Sequence, residues 1–345
     1  LFHRFLFGIK NNFVFFVIDA FNSVVRDFTW QVPATRGKFQ QIEKMNMKPT
    51  YTLFLMMTLF LAMPPVLMMG QESGIIAHQA TIEQVATGFA FTEGPAVSPD
   101  GRVFFTDQPN DRIHVWHERE GISLWLEGTG RSNGMDFNQD GGLVACADLH
   151  NRLVVFNEQK EVRILCENYK GKHLNGPNDV WVAPSGDSYF TDPYYHRNYW
   201  EEGHHEAQDT RGVYHLSTDG KVSRVSDKYV QPNGIIGTPD GKTLYVADIN
   251  DRKIWKYDIQ ADGSLANRTF FAPEGSDGMT IDELGNVYLT MGKVWVYSPE
   301  GELIEAIDVP ESPSNVCFGG KNRDILFITA RTSVYTLKMN VKGVK

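Results

Sequence analysis

The sequence repeats one short pattern six times, and this repetition constrains the fold more than any other feature. In each copy a polar residue opens a short apolar run, a turn follows seven or eight positions later, and a second apolar run comes next. Five copies carry glycine at the turn, where tight hairpins often need a positive φ. The copies span residues 93–107, 133–148, 178–192, 233–248, 277–291 and 315–330.

Further strands follow each copy, as in 112–116 and 253–257, where β-branched and aromatic residues alternate with polar ones. The copies recur every 38 to 55 residues, which is the spacing of four-stranded propeller blades. We therefore predict an all-β chain: a six-bladed β-propeller with four-stranded antiparallel blades around a central metal-binding channel. A strand near 82–85 should complete the last blade and close the ring. A β-sandwich built from similar hairpins is the alternative.

The first seventy residues show no copy of this pattern. We expect residues 1–44 to lie upstream of the natural start and residues 45–70 to be a signal peptide, with a lysine followed by an apolar run over 53–69. A membrane anchor is the alternative, although Pro64 interrupts a run already short for a spanning helix. The prediction is an exported protein, periplasmic or extracellular, not stably inserted in a membrane after cleavage, with one propeller domain over 71–345.

Composition narrows the partners. The chain has 42 acidic residues against 33 lysines and arginines, a net charge of -9, and no basic cluster, so we expect no nucleic-acid binding. Three cysteines, Cys146, Cys166 and Cys317, cannot all pair. Buried free thiols are the expected state, and the chain is not a disulfide scaffold.

The residues that open the six copies should form a ring. In a propeller blade the first strand lies nearest the channel, so its opening residues meet at one mouth. Two carboxylates and four carboxamides would then face one axis, an oxygen-only set that suits a hard cation, with Ca²⁺ favoured over Zn²⁺ and Mg²⁺. The alternative is that these side chains only shape the turns. The ring members are Glu93, Asn133, Asn178, Asn233, Asp277 and Asn315.

Antiparallel pairing should return the end of each second strand to the same mouth. His150 is expected there, and so is the longest insertion, 193–212, as a lid or, alternatively, as an exposed loop. Its adjacent histidines lack the regular spacing of a zinc site. Four second strands end in aspartate, at Asp107, Asp148, Asp192 and Asp248. The aromatic residues and histidines of the insertion are Tyr194, Tyr195, His196, Tyr199, Trp200, His204 and His205.

Five motifs carry a family resemblance: FTEGPAVSPDGRVFFTD, LNGPNDVWVAPSGDSYFTDP, PNGIIGTPDGKTLYVAD, SDGMTIDELGNVYLT and SNVCFGGKN. Over about residues 82–340 the chain resembles the family of gluconolactonase, senescence marker protein (regucalcin) and luciferin-regenerating enzyme, and most of all its secreted bacterial branch. The resemblance implies a six-bladed propeller with a catalytic divalent cation, usually Ca²⁺, in the channel.

The resemblance also implies residue roles. Glu93, Asn233 and Asp277 match the protein ligands of the cation, and Asn178 matches a further ligand or substrate contact. Asp277 is the implied general base. Our own candidates beside it are Asp179 and His150.

One position departs from the family pattern. The sugar-lactonase members closest to the animal proteins carry an arginine where this chain has Gly176, which puts gluconolactone itself in question. Arg131, just before the second copy, could replace that arginine. Further substrate contacts are expected from Asn133, Tyr195 and His196.

The functional prediction is a Ca²⁺-dependent hydrolase that opens a lactone ring, with a small lactone or sugar-derived substrate. The cation would polarise the lactone carbonyl. Two alternatives stay open: a secreted propeller that binds Ca²⁺ and a partner without chemistry, and an esterase or organophosphate hydrolase that uses the same metal site.

Overall fold

The structure is a computed structural model that describes residues 74–344, which form six four-stranded antiparallel sheets and one short hairpin. No helix in this part of the chain is long and apolar enough to cross a membrane. The predicted upstream segment 1–44 and signal peptide 45–70 lie outside the described residues. The prediction of a six-bladed propeller is confirmed.

Each copy of the repeat forms the first two strands of a blade. Blade one contains β2 (Thr92–Val97), β3 (Val103–Asp107), β4 (Arg112–His117) and β5 (Gly121–Glu127); blade two contains β6 (Ser132–Phe137), β7 (Leu143–Ala147), β8 (Arg152–Phe156) and β9 (Val162–Cys166). The hairpin β10 (Asn168–Tyr169) and β11 (Lys172–His173) leads into blade three, which contains β12 (Val180–Val182), β13 (Ser188–Asp192), β14 (Gly212–Leu216) and β15 (Val222–Ser226). Blade four contains β16 (Pro232–Gly237), β17 (Thr243–Asp248), β18 (Lys253–Ile259) and β19 (Leu265–Ala272). Blade five contains β20 (Met279–Ile281), β21 (Val287–Thr290), β22 (Val294–Tyr297) and β23 (Leu303–Ile307).

The sixth blade joins the two ends of the described chain. It contains β24 (Asn315–Gly319), β25 (Ile325–Ala330), β26 (Ser333–Lys338) and, as its outermost strand, β1 (Glu83–Thr87). β1 pairs antiparallel with β26, from Glu83 opposite Thr336 to Thr87 opposite Ser333. The predicted closing strand is therefore present, and it ties the start of the propeller to its end.

Apolar side chains between neighbouring blades form the core, because each sheet buries both of its faces. The largest fully buried side chains include Trp181, Tyr189, Tyr214 and Tyr288. The three cysteines are buried and free, as expected. The core is thus a ring of interfaces between sheets, and the channel runs through its middle.

Two short 3-10 turns, Gln108–Asn110 and Asp148–His150, follow the second strands of blades one and two. Each ends in a residue with left-handed φ, Asp111 at 55° and Asn151 at 53°. Asp and Asn tolerate this conformation better than most side chains. The turns redirect the chain from the channel mouth towards the outer strands.

The spacing of blades three and four depends on Gly237. A Cβ added there would lie 2.3–2.5 Å from the Trp181 indole ring, which is buried. Gly237→Ala should lower the free energy of unfolding by about 1–3 kcal/mol because the indole must move. Guanidinium unfolding of Gly237→Ala, Trp181→Phe and the double variant measures the coupling. The smaller ring should relieve part of the cost, so fully additive losses would contradict this account.

Candidate active site at one mouth of the channel

The residues that open the six copies lie at the starts of the inner strands, and side-chain contacts between neighbouring blades join four of them. Asn233 Nδ2 donates to Asp277 Oδ1 at 2.7 Å, between blades four and five. Asn315 Nδ2 donates to Glu93 Oε2 at 2.9 Å, between blades six and one. The structure therefore joins four of the six predicted ring side chains in two pairs across blade boundaries.

Glycines explain how the inner strands approach so closely. In four blades a glycine follows the ring residue, and a Cβ there would strike the opening residues of the next blade. Such a Cβ would lie 1.9 Å from Asn133 O at Gly94, 2.2 Å from Asp179 Oδ1 at Gly134, 3.0 Å from Asp277 O at Gly234 and 1.8 Å from Asn315 Cγ at Gly278. At Gly94, Gly134 and Gly278 any larger residue would push neighbouring blades apart, whereas at Gly234 the neighbour would have to shift by only a few tenths of an ångström.

Asn233 carries an unpaired buried oxygen. Its Nδ2 donates to Asp277 and also to the Tyr195 hydroxyl at 2.8 Å, which fixes the orientation of the carboxamide. Its Oδ1 is buried and has no hydrogen-bond partner among the described residues. A buried carbonyl oxygen without a partner is costly, and a cation that binds it would remove the cost. The residue thus fits the role of a metal ligand.

Two carboxylates are held close enough to repel each other. Burial and, next, the charge of Asp277 raise the pKa of Glu93 well above its usual range. The Gly94 amide, which donates to Glu93 Oε2 at 2.6 Å, acts to lower this pKa. Burial raises the pKa of Asp277 to about 6, while its bond from Asn233 opposes the rise. Bringing two negative charges together in a buried site favours a cation between them.

The side-chain atoms available at this mouth indicate which kind of metal ion the site would prefer. The described residues contain no group of three or more His, Cys, Asp and Glu side chains that could hold a metal ion. The available set instead mixes the carboxylates of Glu93 and Asp277 with the carboxamides of Asn178 and Asn233. Such an oxygen set suits Ca²⁺ better than Zn²⁺.

Asp179 has a different environment from the one expected of a free base. Its Oδ1 accepts from the Val180 amide at 3.0 Å, and its Oδ2 accepts from the Ile235 amide at 3.4 Å. Burial raises its pKa well above the usual range. The carboxylate therefore links blade three to blade four, and both of its oxygens are engaged.

Four further candidates are exposed or have other partners. His150 and His196 are exposed, and no hydrogen bond within residues 74–344 joins either to a ring side chain. Arg131 lies 4.3 Å above the Tyr199 ring and donates from Nη1 to Pro109 O at 2.5 Å. Asn133 is buried in the ring, and its backbone oxygen accepts from Thr106.

The aspartates at the ends of the second strands have a structural role that the sequence analysis missed. Three of them accept backbone amides from the loop that enters the inner strand of their own blade. These pairs are Asp107 with Ala90 and Phe91 at 3.0 and 3.1 Å, Asp192 with Asn175 and Gly176 at 3.0 and 2.8 Å, and Asp248 with Val230 and Gln231, both at 2.8 Å. These clamps hold each entering loop in place and so help to position the ring residue that follows.

Asp148 is the exception among the four. In its blade the Arg131 amide donates to Asp111 instead, at 2.6 Å. Asp148 accepts from Arg197 Nε at 2.8 Å and from the Tyr199 hydroxyl, and its backbone oxygen accepts from Trp200 Nε1 at 2.9 Å. This aspartate therefore anchors the insertion of blade three.

The insertion 193–212 reaches the ring through Tyr195. Gln231 also holds the loop, since its Nε2 donates to the Tyr194 backbone oxygen at 2.9 Å. Gly176 leaves room for it, because a Cβ there would lie 3.0 Å from Asp148 Oδ1 and 3.3 Å from the Trp200 ring. The structure thus anchors the predicted lid on blade two and brings Tyr195 to the edge of the ring.

The fold and the site place this chain among six-bladed β-propellers with polar side chains at one mouth of the channel. Comparison with known proteins then identifies its family. The family described as SMP-30/Gluconolactonase/LRE-like region matches residues 91–332. The chain belongs to this family, which confirms the resemblance seen in its motifs.

Individual relatives cover most of the propeller. The chain is 31% identical over 301 residues to a gluconolactonase of Zymomonas mobilis, across 78% of this chain and 84% of the relative. It is 28% identical over 261 residues to a pentonolactonase of Haloferax volcanii, across 71% and 83%. A solved gluconolactonase structure from Xanthomonas campestris matches with a TM-score of 0.72 and 27% identity, across 77% of this chain and 91% of that one.

Removing the Asp148 carboxylate should loosen the insertion. In Asp148→Ala, Arg197 and Tyr199 lose their shared acceptor, so trypsin should cleave after Arg197 several times faster than in the unmodified protein. Asp107→Ala is the matched control, since Asp107 occupies the same repeat position but clamps its own blade. Equal cleavage rates after Arg197 in the two variants would contradict the anchoring role.

Proposed function

We propose that this protein is a divalent-cation-dependent lactonase, with Ca²⁺ as the favoured cation. The observation that carries the proposal is the buried Oδ1 of Asn233, which has no hydrogen-bond partner among the described residues and belongs to the carboxamide that contacts Asp277. Relatives named gluconolactonase and pentonolactonase support lactone hydrolysis as the reaction. We also propose that the chain is exported, on the pattern of residues 45–70.

Four residues would hold the cation: Glu93, Asn178, Asn233 and Asp277. Two carboxylates would balance a divalent charge, and two carboxamides would add neutral oxygens. When bound, a divalent cation supplies Lewis-acid polarisation of the lactone carbonyl. Mg²⁺ and Zn²⁺ are the weaker candidates, because the ring spreads over separate blades and offers neither His nor Cys.

The chain's own residues can move the proton. Asp277 is half-buried, and its Oδ2 accepts no hydrogen bond from the described residues, whereas Oδ1 is held by Asn233. That free oxygen can accept a proton from the water that attacks the carbonyl carbon. When the ring C–O bond breaks, the proton passes to the departing alkoxide, and the product is a hydroxy acid.

Tyr195 can assist from the lid. Its hydroxyl oxygen accepts from Asn233, and burial raises its pKa, so the phenol stays protonated and can donate its own proton in a hydrogen bond. A substrate oxygen at the mouth is the natural acceptor. The half-buried ring of Tyr195 also covers one side of the site and excludes water from it.

A lactone panel tests the reaction. The full chain, offered aldonolactones and aliphatic lactones with Ca²⁺ or with chelator, should hydrolyse at least one of them only when the cation is present. Asp277→Asn should lower kcat by about 100- to 10,000-fold through loss of the base and a ligand. Asp100→Asn, on an exposed turn at the far mouth, is the control. Retained turnover in Asp277→Asn would contradict the assignment, and bound Ca²⁺ with no hydrolysis would favour a binding platform.

Cation binding should stabilise the propeller. At about 100 times Kd the gain is about 2.7 kcal/mol, which raises Tm by roughly 5–10 °C for a domain of this size. Differential scanning fluorimetry with Ca²⁺, Mg²⁺, Zn²⁺ or chelator measures it, and Ca²⁺ should give the largest shift. Glu93→Gln should reduce the shift, because one of the two neutralising charges is gone. A full Ca²⁺ shift in Glu93→Gln would contradict the ligand set.

A further inference from the structure

Arg197 in the insertion presents hydrogen-bond donors that no other described residue uses. Its Nε is bound to Asp148 Oδ2 at 2.8 Å, and its side chain keeps 23% of its surface exposed. Neither Nη group donates a hydrogen bond to any residue that the structure describes. An arginine held at one end, with its terminal nitrogens free, is prepared to bind oxygen atoms of a ligand.

The position of Arg197 connects it to the reaction centre. Its guanidinium lies 5.1 Å from the centroid of the Tyr195 ring. The Tyr195 hydroxyl is 2.8 Å from Asn233 Nδ2, which in turn lies 2.7 Å from Asp277 Oδ1. Arg197 is therefore a neighbour of the site, one side chain removed from the ring.

The repeat provides an independent reason to treat this placement as specific. At the same repeat position Asp107, Asp192 and Asp248 use their carboxylates to hold backbone amides of their own blades. In blade two the equivalent backbone amide, that of Arg131, donates to Asp111 instead of Asp148. The Asp148 side chain, which is 3% exposed, pairs with Arg197. Because the buried Asp148 carboxylate holds no entering loop of its own blade, it can hold the Arg197 side chain in one orientation.

Other cations near the mouth fit this role less well. The guanidinium of Arg131 is engaged with Tyr199 and with the backbone of Pro109. Arg331 lies in the turn between β25 and β26 of blade six, and its side chain is exposed, 5.8 Å from the Phe91 ring. Of these three arginines, Arg197 alone combines a buried anchor with contact to a residue that touches the ring.

We propose that Arg197 is a specificity-determining residue, whose Nη groups bind oxygen substituents on the lactone ring, and that Asp148 is the residue that positions it. The inference rests on the proposed lactonase function and deepens it. The site would then discriminate between lactones of one ring size according to their hydroxyl groups, through the blade-three insertion and without any change in the cation ligands.

The test compares two six-membered lactones, D-glucono-1,5-lactone and unsubstituted δ-valerolactone, with the full chain and Ca²⁺ and with spontaneous hydrolysis subtracted. In Arg197→Gln, kcat/KM for the hydroxylated lactone should fall about 10- to 100-fold, the value of a hydrogen bond from a charged donor. The fall for δ-valerolactone should be much smaller, so the ratio of the two constants should drop. Arg197→Lys keeps the charge, so its kcat/KM for the hydroxylated lactone should lie between those of Arg197→Gln and the unmodified protein.

Two further variants complete the test. Arg102→Gln is the control, because Arg102 makes the same Nε–carboxylate pair at 2.8 Å with Asp100 on a turn at the far mouth. It should leave both constants unchanged. Asp148→Ala should raise KM for the hydroxylated lactone more than it lowers kcat, and Asp148→Asn, which keeps an acceptor oxygen, should restore part of the loss.

The outcomes are distinct. A fall in the ratio for Arg197→Gln with no fall for Arg102→Gln supports the inference. Equal losses on both lactones, or no loss on either, overturn it while leaving the proposed lactonase in place. If the unmodified protein hydrolyses neither these two lactones nor any member of the wider panel, the proposed function fails and the inference fails with it.

Discussion

The site depends on how closely six inner strands can approach one axis. Side chains of ordinary size would hold neighbouring strands apart at this point. Glycine after the ring residue in four blades removes that obstacle, and the carbonyl or side chain of the next blade fills the space where a Cβ would be. Close packing and the candidate site thus have the same origin, because the close approach at Gly234 joins the two blades whose side chains Asn233 and Asp277 meet at 2.7 Å.

Once the strands converge, electrostatics sets the remaining requirements. The carboxylates of Glu93 and Asp277 repel each other, and the Asn233 oxygen lacks a partner among the described residues, so the proposed cation would relieve two unfavourable interactions at this mouth. The aspartate clamps at Asp107, Asp192 and Asp248 hold the loops that enter the ring, and this rigidity keeps the oxygens close to one another before any ligand arrives. A site of this kind is prearranged, and binding has little chain entropy to overcome.

The repeated pattern in the sequence predicts the blades, but it gives no information about the contacts made by residues outside the pattern. Six copies of one pattern were enough for the fold and for the closing strand. They also predicted polar residues at the starts of the inner strands, where Asn233 meets Asp277 and Asn315 meets Glu93. Insertion 193–212 has no counterpart in the other blades, so nothing in the pattern distinguished Arg197 from other charged residues.

Asp148 and Asp179 show the same limit from within the repeat. Asp148 looks like Asp107, Asp192 and Asp248 in sequence and differs from them only in its partners. Asp179 stands beside a ring residue, as a base would, yet backbone amides from two blades occupy both of its oxygens. Partners that come from another blade are set by tertiary packing, and one sequence carries no direct record of them.

The pairing of β1 with β26 has a consequence for the order in which the chain can fold. The strand that completes blade six is made first and its partner is made last, with nearly the whole propeller between them. Until the final hairpin is available, β1 has no sheet to join and the ring stays open, with unpaired strand edges exposed to other chains. Contacts so distant in sequence also form slowly. The protein is therefore most prone to aggregation in the interval before the ring closes. A chaperone that covers an open strand edge would act during this interval.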